Sequence, residues 1–270
     1  IGPEGGVAED LGPGAQQRAL LRTWAEILRH PTFWAYALLA TASYGGLFTF
    51  LAASSFVFIQ MFGLSKTVYG LLMFSMSISY ISGTVICRRL LPRFGVRRTV
   101  AIAGACTLIA GTSMGVIALL GVQSVWAIMV PFYLFMIGHG VHQPCGQSGA
   151  VGPFPRAAGT ASALSGFLMM VAAFLMGSWL GKSLAGIAAG QGSVLPLTNG
   201  IWFWSVLISG VAWTLVQRYG DNREPPVRRF ESPPAVGGDA ATGPAKPVPQ
   251  HLLEAHLPTI DIAGSAQSKP

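Results

Sequence analysis

The sequence predicts an all-α membrane protein: six transmembrane helices followed by a disordered C-terminal tail. Three observations carry this. Only 10% of the 270 residues are charged and 51% are hydrophobic, whereas a soluble domain carries about 25% charged residues. No acidic residue occurs between Glu26 and Asp221. The basic residues in that interval stand singly or in one cluster, leaving uncharged stretches at 31–65, 67–87, 99–155, 157–181 and 183–217. A spanning helix needs about 20 mostly apolar residues.

Residues 1–14 are rich in Gly and Pro and read as loop. They begin at Ile1 without an initiator methionine, so we expect a chain that starts inside something larger. Residues 16–30, QQRALLRTWAEILRH, form an amphipathic pattern: Leu20, Leu21, Trp24, Ile27 and Leu28 at helical spacing, with Arg18, Arg22, Glu26 and Arg29 elsewhere. Such a helix either lies along the inner membrane surface or packs on protein. His30-Pro31 then breaks to the first span.

The first uncharged stretch holds a span at about 33–55 and then a loop or re-entrant portion. The second holds one span, at about 68–87. The third holds two, at about 99–120 and 125–147, divided at Gly121-Val122-Gln123-Ser124. The fourth holds a span at about 158–180. The last holds a polar loop and then a span at about 199–217. Ser75, Ser79 and Gly83 in the second span, Gly111 and Gly115 in the third, and Gly177 and Gly181 in the fifth sit at four-residue intervals. Small residues at that spacing let helices approach closely in lipid. Residues 221–270, including ESPPAVGGDAATGPAKPVPQ, lack the apolar periodicity that could bury a core. Only HLLEAHL at 251–257 suggests a transient helical turn.

RRLLPRFGVRR, at 88–98, places five arginines between two spans. Six spans put both chain ends on one side, and fifteen of the 17 basic residues then fall on that side. Lys66 and Lys182 alone fall on the other. Positive charge is retained in the cytoplasm, so both ends are expected there. Each arginine dragged to a span centre costs roughly 2.5–3.5 kcal/mol on insertion scales. The cluster is therefore a topology anchor, compatible with contact to anionic lipid. Pinned between spans, it is not a nucleic-acid site.

The fourth span, VWAIMVPFYLFMIGHGVHQPCGQSGAVGPFP, holds Pro131, Gly138, Gly140 and Pro144 together with His139, His142, Gln143 and Gln147. Helix breakers at membrane depth are tolerated where protein or a wet cavity satisfies the freed backbone. Polar side chains there face the bundle interior. His139 and His142 share one helix face, which Gln143 and Gln147 extend. Two readings stay open: a polar cavity lining, or histidines packed and satisfied near the cytoplasmic end. No carboxylate lies in any span to complete a metal site, and no nucleophile–base set suggests an enzyme. Cys87, Cys106 and Cys145 fall in or at the ends of spans without metal spacing and read as packing residues.

The stretch from Gly83 through CRRLLPRFGVRR resembles the Gly-plus-basic loop signature of the major facilitator superfamily, with Arg88, Arg89, Arg93, Gly95, Arg97 and Arg98 as its matching positions. FTFLAASSFVFIQMFGLSKTVYGLLMF (48–74) is similar to the seventh helix and following loop of the bicyclomycin and chloramphenicol resistance branch of drug/proton antiporters. There the pattern ends Ser-Pro-Phe; here Ser54-Ser55-Phe56 lacks the helix-ending proline. FPRAAGTASALSGFLMM (154–170) is similar to the branch's loop and eleventh helix. The resemblance covers roughly residues 31–219.

It implies the C-terminal half of a twelve-span transporter, with residues 1–30 as the end of the central cytoplasmic loop and an N-terminal six-span half as partner. It implies a bacterial inner-membrane protein, transporting a small molecule with protons and needing no cofactor. The first and fourth helices of each half face the cavity in this family. Tyr44, Phe48 and Phe50 are then candidates, with aromatic packing as the alternative, beside His139, His142, Gln143 and Gln147. With no acidic residue in the spans, the coupling carboxylate is expected in the other half, or the histidines take its role. Two other functions stay in view: a six-span scaffold or sensor, and a facilitator for another small solute.

Overall fold

The computed structural model describes residues 13–188 and 193–220. The expected disordered tail at 221–270 and residues 1–12 of the expected loop lie outside the described residues; the last two loop residues, Pro13 and Gly14, instead begin a helix. Among the described residues all regular structure is helical: α1 (Pro13–Arg29), α2 (Pro31–Ser55), α3 (Lys66–Leu119), α4 (Val125–Val151), α5 (Ala158–Ala188), α6 (Leu195–Trp213) and α7 (Leu215–Tyr219). Five of the helical segments are long and apolar enough to cross a membrane: Pro31–Met61, Lys66–Leu119, Val125–Val151, Pro155–Ser183 and Leu195–Tyr219.

Local chemistry explains most of the ends. Pro31 opens α2 at a position where its missing N–H costs nothing. Without a proline at position 55, the chain does not stop there. It runs on as a π-helical turn over Phe56–Met61, with Phe62 N–H donating to Val57 O at 3.1 Å. The loop or re-entrant portion expected after the first span is thus largely helical. Gly63, at φ 67, makes the turn. Ser65 caps α3, its hydroxyl accepting from Val68 N–H at 3.3 Å.

The second and third expected spans lie within α3. Its 54 residues would reach about 80 Å as a straight helix, far beyond a hydrocarbon core of about 30 Å. Gly95 breaks it, with φ 72 and ψ 170. Gly83 and Thr107 stand equally far before and after Gly95. Gly83 meets the Ile137 carbonyl, and Thr107 meets the adjacent Gly138. The two arms of α3 therefore fold back to meet α4 at the same level. The turn expected across 88–98 contracts to the region of Gly95. Arg88, Arg89 and Arg93 extend the first arm as helix, because Arg and Leu are strong helix formers.

Helices α2 and α4 form the middle of the bundle. Glycine lets them touch: a Cβ on Gly146 would sit 2.9 Å from Ala40 Cβ. A Cβ on Gly140 would lie 2.6 Å from Tyr80 O, so α4 also meets the first arm of α3 backbone to backbone. The glycines of the fourth span are thus contact points, and α4 runs unbroken through Pro131 and Pro144. Gly111 packs against Ser205 of α6. The Gly177/Gly181 pair is split: Gly177 meets Phe48, while nothing lies near Gly181. The apolar outside suits hydrocarbon, with Leu71, Phe74, Phe167 and Phe174 all exposed.

One end of the bundle collects the basic segments. Thr32 Oγ1 donates to Tyr219 O at 3.0 Å and Tyr36 OH to Gly220 O at 2.8 Å. Arg97 donates to Gln217 O, and Gln217 Nε2 returns a bond to Arg97 O at 2.9 Å. His30 meets Phe154 edge-on at 5.3 Å. The start of α2, the break in α3, the end of α4 and α7 therefore share one end.

Candidate functional site

The polar side chains of α4 face three different neighbours, α2, α3 and α5. His139 is 4% exposed. Its Nδ1 lies 2.7 Å from Ser43 Oγ of α2, and its ring 5.6 Å from that of Tyr80, on the first arm of α3. His142 is fully buried, with Nε2 3.3 Å from Thr107 Oγ1 on the second arm. The Thr107 hydroxyl donates its one proton to Ala103 O at 3.0 Å. With that proton so placed, Thr107 Oγ1 accepts from His142 in its Nε2–H tautomer; His142 Nδ1 has no hydrogen-bond partner.

Gln143 and Gln147 look elsewhere. Their Nε2 atoms lie 3.5 and 3.6 Å from Met169 Sδ of α5. A thioether is a weak acceptor, so these contacts hold the carboxamides loosely. Gln143 Oε1 is buried without a partner. The sequence places all four polar residues along one side of a helix; the fold sends the histidines to α2 and α3 and the glutamines to α5.

The aromatic candidates also divide. Phe50 is fully buried and stacks on Phe132 with ring centroids 3.7 Å apart, within the packed core. Tyr44 and Phe48 are half-buried, and Phe48 lies against Gly177 of α5. Phe48, Gln143 and Gln147 thus share α5 as neighbour. They meet it at different levels, Phe48 at Gly177 and the carboxamides at Met169, eight residues or about 12 Å apart along the helix.

In the basic loop, Arg88, Arg89 and Arg93 line a surface cleft of about 560 Å³ with Ile86, Leu90 and Pro92. Arg98 is exposed. Sequence reasoning missed the partners Ser43, Tyr80, Thr107 and Met169. Ser43 and Thr107 carried a faint signal as polar residues inside apolar spans, and Met169 carried none. It also missed that the Cys87 and Cys145 thiols lie 3.6 Å apart, buried between α3 and α4.

The family model of the Major Facilitator Superfamily matches residues 3–177. The chain belongs to that superfamily. Its facilitator match begins earlier than the resemblance read from the residues and stops within α5, leaving α6 and α7 outside. Among curated proteins, the chain is 31% identical over 185 residues to Multidrug resistance protein D of Escherichia coli (strain K12), covering 68% of this chain and 43% of that one. It is 24% identical over 151 residues to Chloramphenicol resistance protein of Pseudomonas aeruginosa, covering 55% of this chain and 36% of that one. It is 27% identical over 143 residues to Bicyclomycin resistance protein homolog of Haemophilus influenzae, covering 53% of this chain and 36% of that one. The chain thus spans less than half the length of these relatives. No solved structure gives a significant match. Family and apolar helices together make this facilitator chain an integral membrane protein.

Proposed function

We propose that this chain forms the C-terminal half of a bacterial inner-membrane transporter that expels small amphiphilic molecules in exchange for protons. The observation that carries the reading is the 31% identity, over two thirds of the chain, to a multidrug resistance protein. In this reading the arms of α3 are two separate spans, which gives six. The end holding Gly95, Arg156 and α7 faces the cytoplasm, in line with the retention of positive charge there.

A cavity lined by the uncharged Tyr44, Phe48, Gln143 and Gln147 would suit an amphiphile: aromatic faces take its apolar body, and a few polar groups orient it. Transport proceeds by rocking of this half against a preceding six-span half around the site between them. No carboxylate lies between residues 27 and 220, so the proton-coupling acid belongs to the other half. His139 and His142, engaged with Ser43 and Thr107, serve as interhelical contacts.

The test uses everted membrane vesicles carrying this chain joined to the half encoded upstream. The reading expects a fluorescent cationic or neutral amphiphile to accumulate inside when a proton gradient is imposed, and to leave when a protonophore collapses it. Vesicles that move no amphiphile under any gradient would overturn it.

A further inference from the structure

Helix α1 carries an apolar face that its own bundle leaves uncovered. Leu20, Leu21, Trp24 and Leu28 are 55%, 65%, 47% and 38% exposed. At about 100° per residue these four fall within an arc of about 100°. Arg18, Arg29 and Arg22 occupy the arc that follows. Ile27 borders the apolar arc on its other side and is 1% exposed, part of the bundle core. Trp34 Nε1 donates to Leu28 O at 2.7 Å and ties the end of α1 to α2. Helix α1 thus rests on the bundle along one edge only. It presents three consecutive strips: a docked edge, an open apolar arc and a cationic arc.

We infer that α1 is seated in the anionic inner leaflet of the bilayer, with Leu20, Leu21, Trp24 and Leu28 among the acyl chains and Arg18, Arg22 and Arg29 on lipid phosphates. Two observations choose lipid as the occupant. First, the charge is one-sided: Glu26 is the single acidic residue among the described residues, so this end of the bundle offers cations to an anionic surface with almost nothing to offset them. Second, the place is right. The start of α2 shares its end of the bundle with the α3 break, where Arg88, Arg89, Arg93 and Arg98 are also exposed. A helix tethered there, with a wide apolar arc beside a basic one, has the form of an interfacial helix. The choice of the inner leaflet rests on the cytoplasmic orientation proposed above, and the seating in lipid holds whatever the protein carries.

The test uses the full chain in nanodiscs and an environment-sensitive fluorescent amino acid placed at position 21, with a second version at position 26 on the acidic side of the helix. Discs contain either neutral phosphatidylcholine alone or a mixture with phosphatidylglycerol, each with and without lipids carrying a quencher near the headgroup. The probe at position 21 should be blue-shifted and quenched by those lipids, more strongly in anionic discs; the probe at 26 should stay water-exposed. Each Arg→Gln change among Arg18, Arg22 and Arg29 should shift the balance from lipid-seated to water-exposed by about 5-fold in anionic discs. In neutral discs the same changes should have little effect. Changing Leu20 and Leu28 to Ser should release the helix in both disc types. Equal exposure of positions 21 and 26 in anionic discs would overturn the inference. So would shielding at 21 that lipid quenchers never reach, or that grows with protein density, since α1 would then be covered by protein.

Discussion

Ser43 Oγ on α2 and His139 Nδ1 on α4 lie 2.7 Å apart, joining two helices that otherwise meet through apolar side chains and glycines. In lipid, such a bond is worth less than its isolation suggests, because an unfolded span finds other partners. Ser43→Ala should therefore destabilise the bundle by only about 0.6–1.7 kcal/mol. Denaturation of the reconstituted chain measures this. A double-mutant cycle with His139→Gln should show that most of the loss is shared. A loss of several kcal/mol, or two independent losses, would remove the pair from the role given to it.

Gly83 belongs to the loop signature in the sequence, yet its immediate work is at a helix contact. A Cβ there would run into the Ile137 carbonyl, a backbone atom that cannot step aside. Gly83→Ala should cost about 1–3 kcal/mol, as overpacking does. Gly181→Ala, with nothing near it, should leave the thermal midpoint unchanged. Equal tolerance at both sites would mean that α3 and α4 do not approach as described.

Gly95 holds φ 72 and ψ 170, a region open essentially to glycine alone and worth about 1–3 kcal/mol to any other residue. Gly95→Ala should lower stability by that amount and widen the angle between the two arms of α3. Paired spin labels near positions 86 and 104 would report a longer and broader distance distribution. An unchanged distribution would show that the hairpin does not rely on this residue.

The carboxamides of Gln143 and Gln147 should matter to substrate more than to fold. Each holds only a thioether. In the joined transporter, Gln143→Leu or Gln147→Leu should weaken uptake of a hydrogen-bonding amphiphile by about 2–10-fold, the worth of one net hydrogen bond. The effect should fall on KM, with expression unaltered. His139→Gln with His142→Gln should leave the proton dependence of efflux intact. If the pair of changes abolished proton coupling while efflux down a substrate gradient survived, the histidines would be the coupling groups.

The sequence disclosed the helical class, the apolar tracts and the basic end, because each follows from composition along the chain. The uncharged run 99–155 and the loop at Gly121 forecast where α3 ends and α4 begins. What it hid were consequences of pairing. Helical wheels placed His139 and Gln143 on one side of α4, but a central helix is surrounded, and a shift of one residue turns a side chain by about 100° toward a different neighbour. Phe50 and Phe48 carry the same chemistry, but two residues turn them about 200° apart on α2, so one meets Phe132 and Phe58 in the core and the other stays half-buried. The arginine cluster promised a broad turn because charge suggests loop, whereas the residues before Gly95 favour helix and let their long side chains reach water from it.

The wide coil over Phe56–Met61 has one more consequence. A π-turn carries one residue beyond what an ordinary α-helical turn would hold. This stretch is therefore a place where the gene has room to lose a codon: removing a single residue there would relax the coil to α-helix and carry the chain to Gly63 without rotating the face that α2 shows to α4. The same deletion one or two turns earlier, around Thr49, would swing Phe50 and everything after it out of register with Phe132.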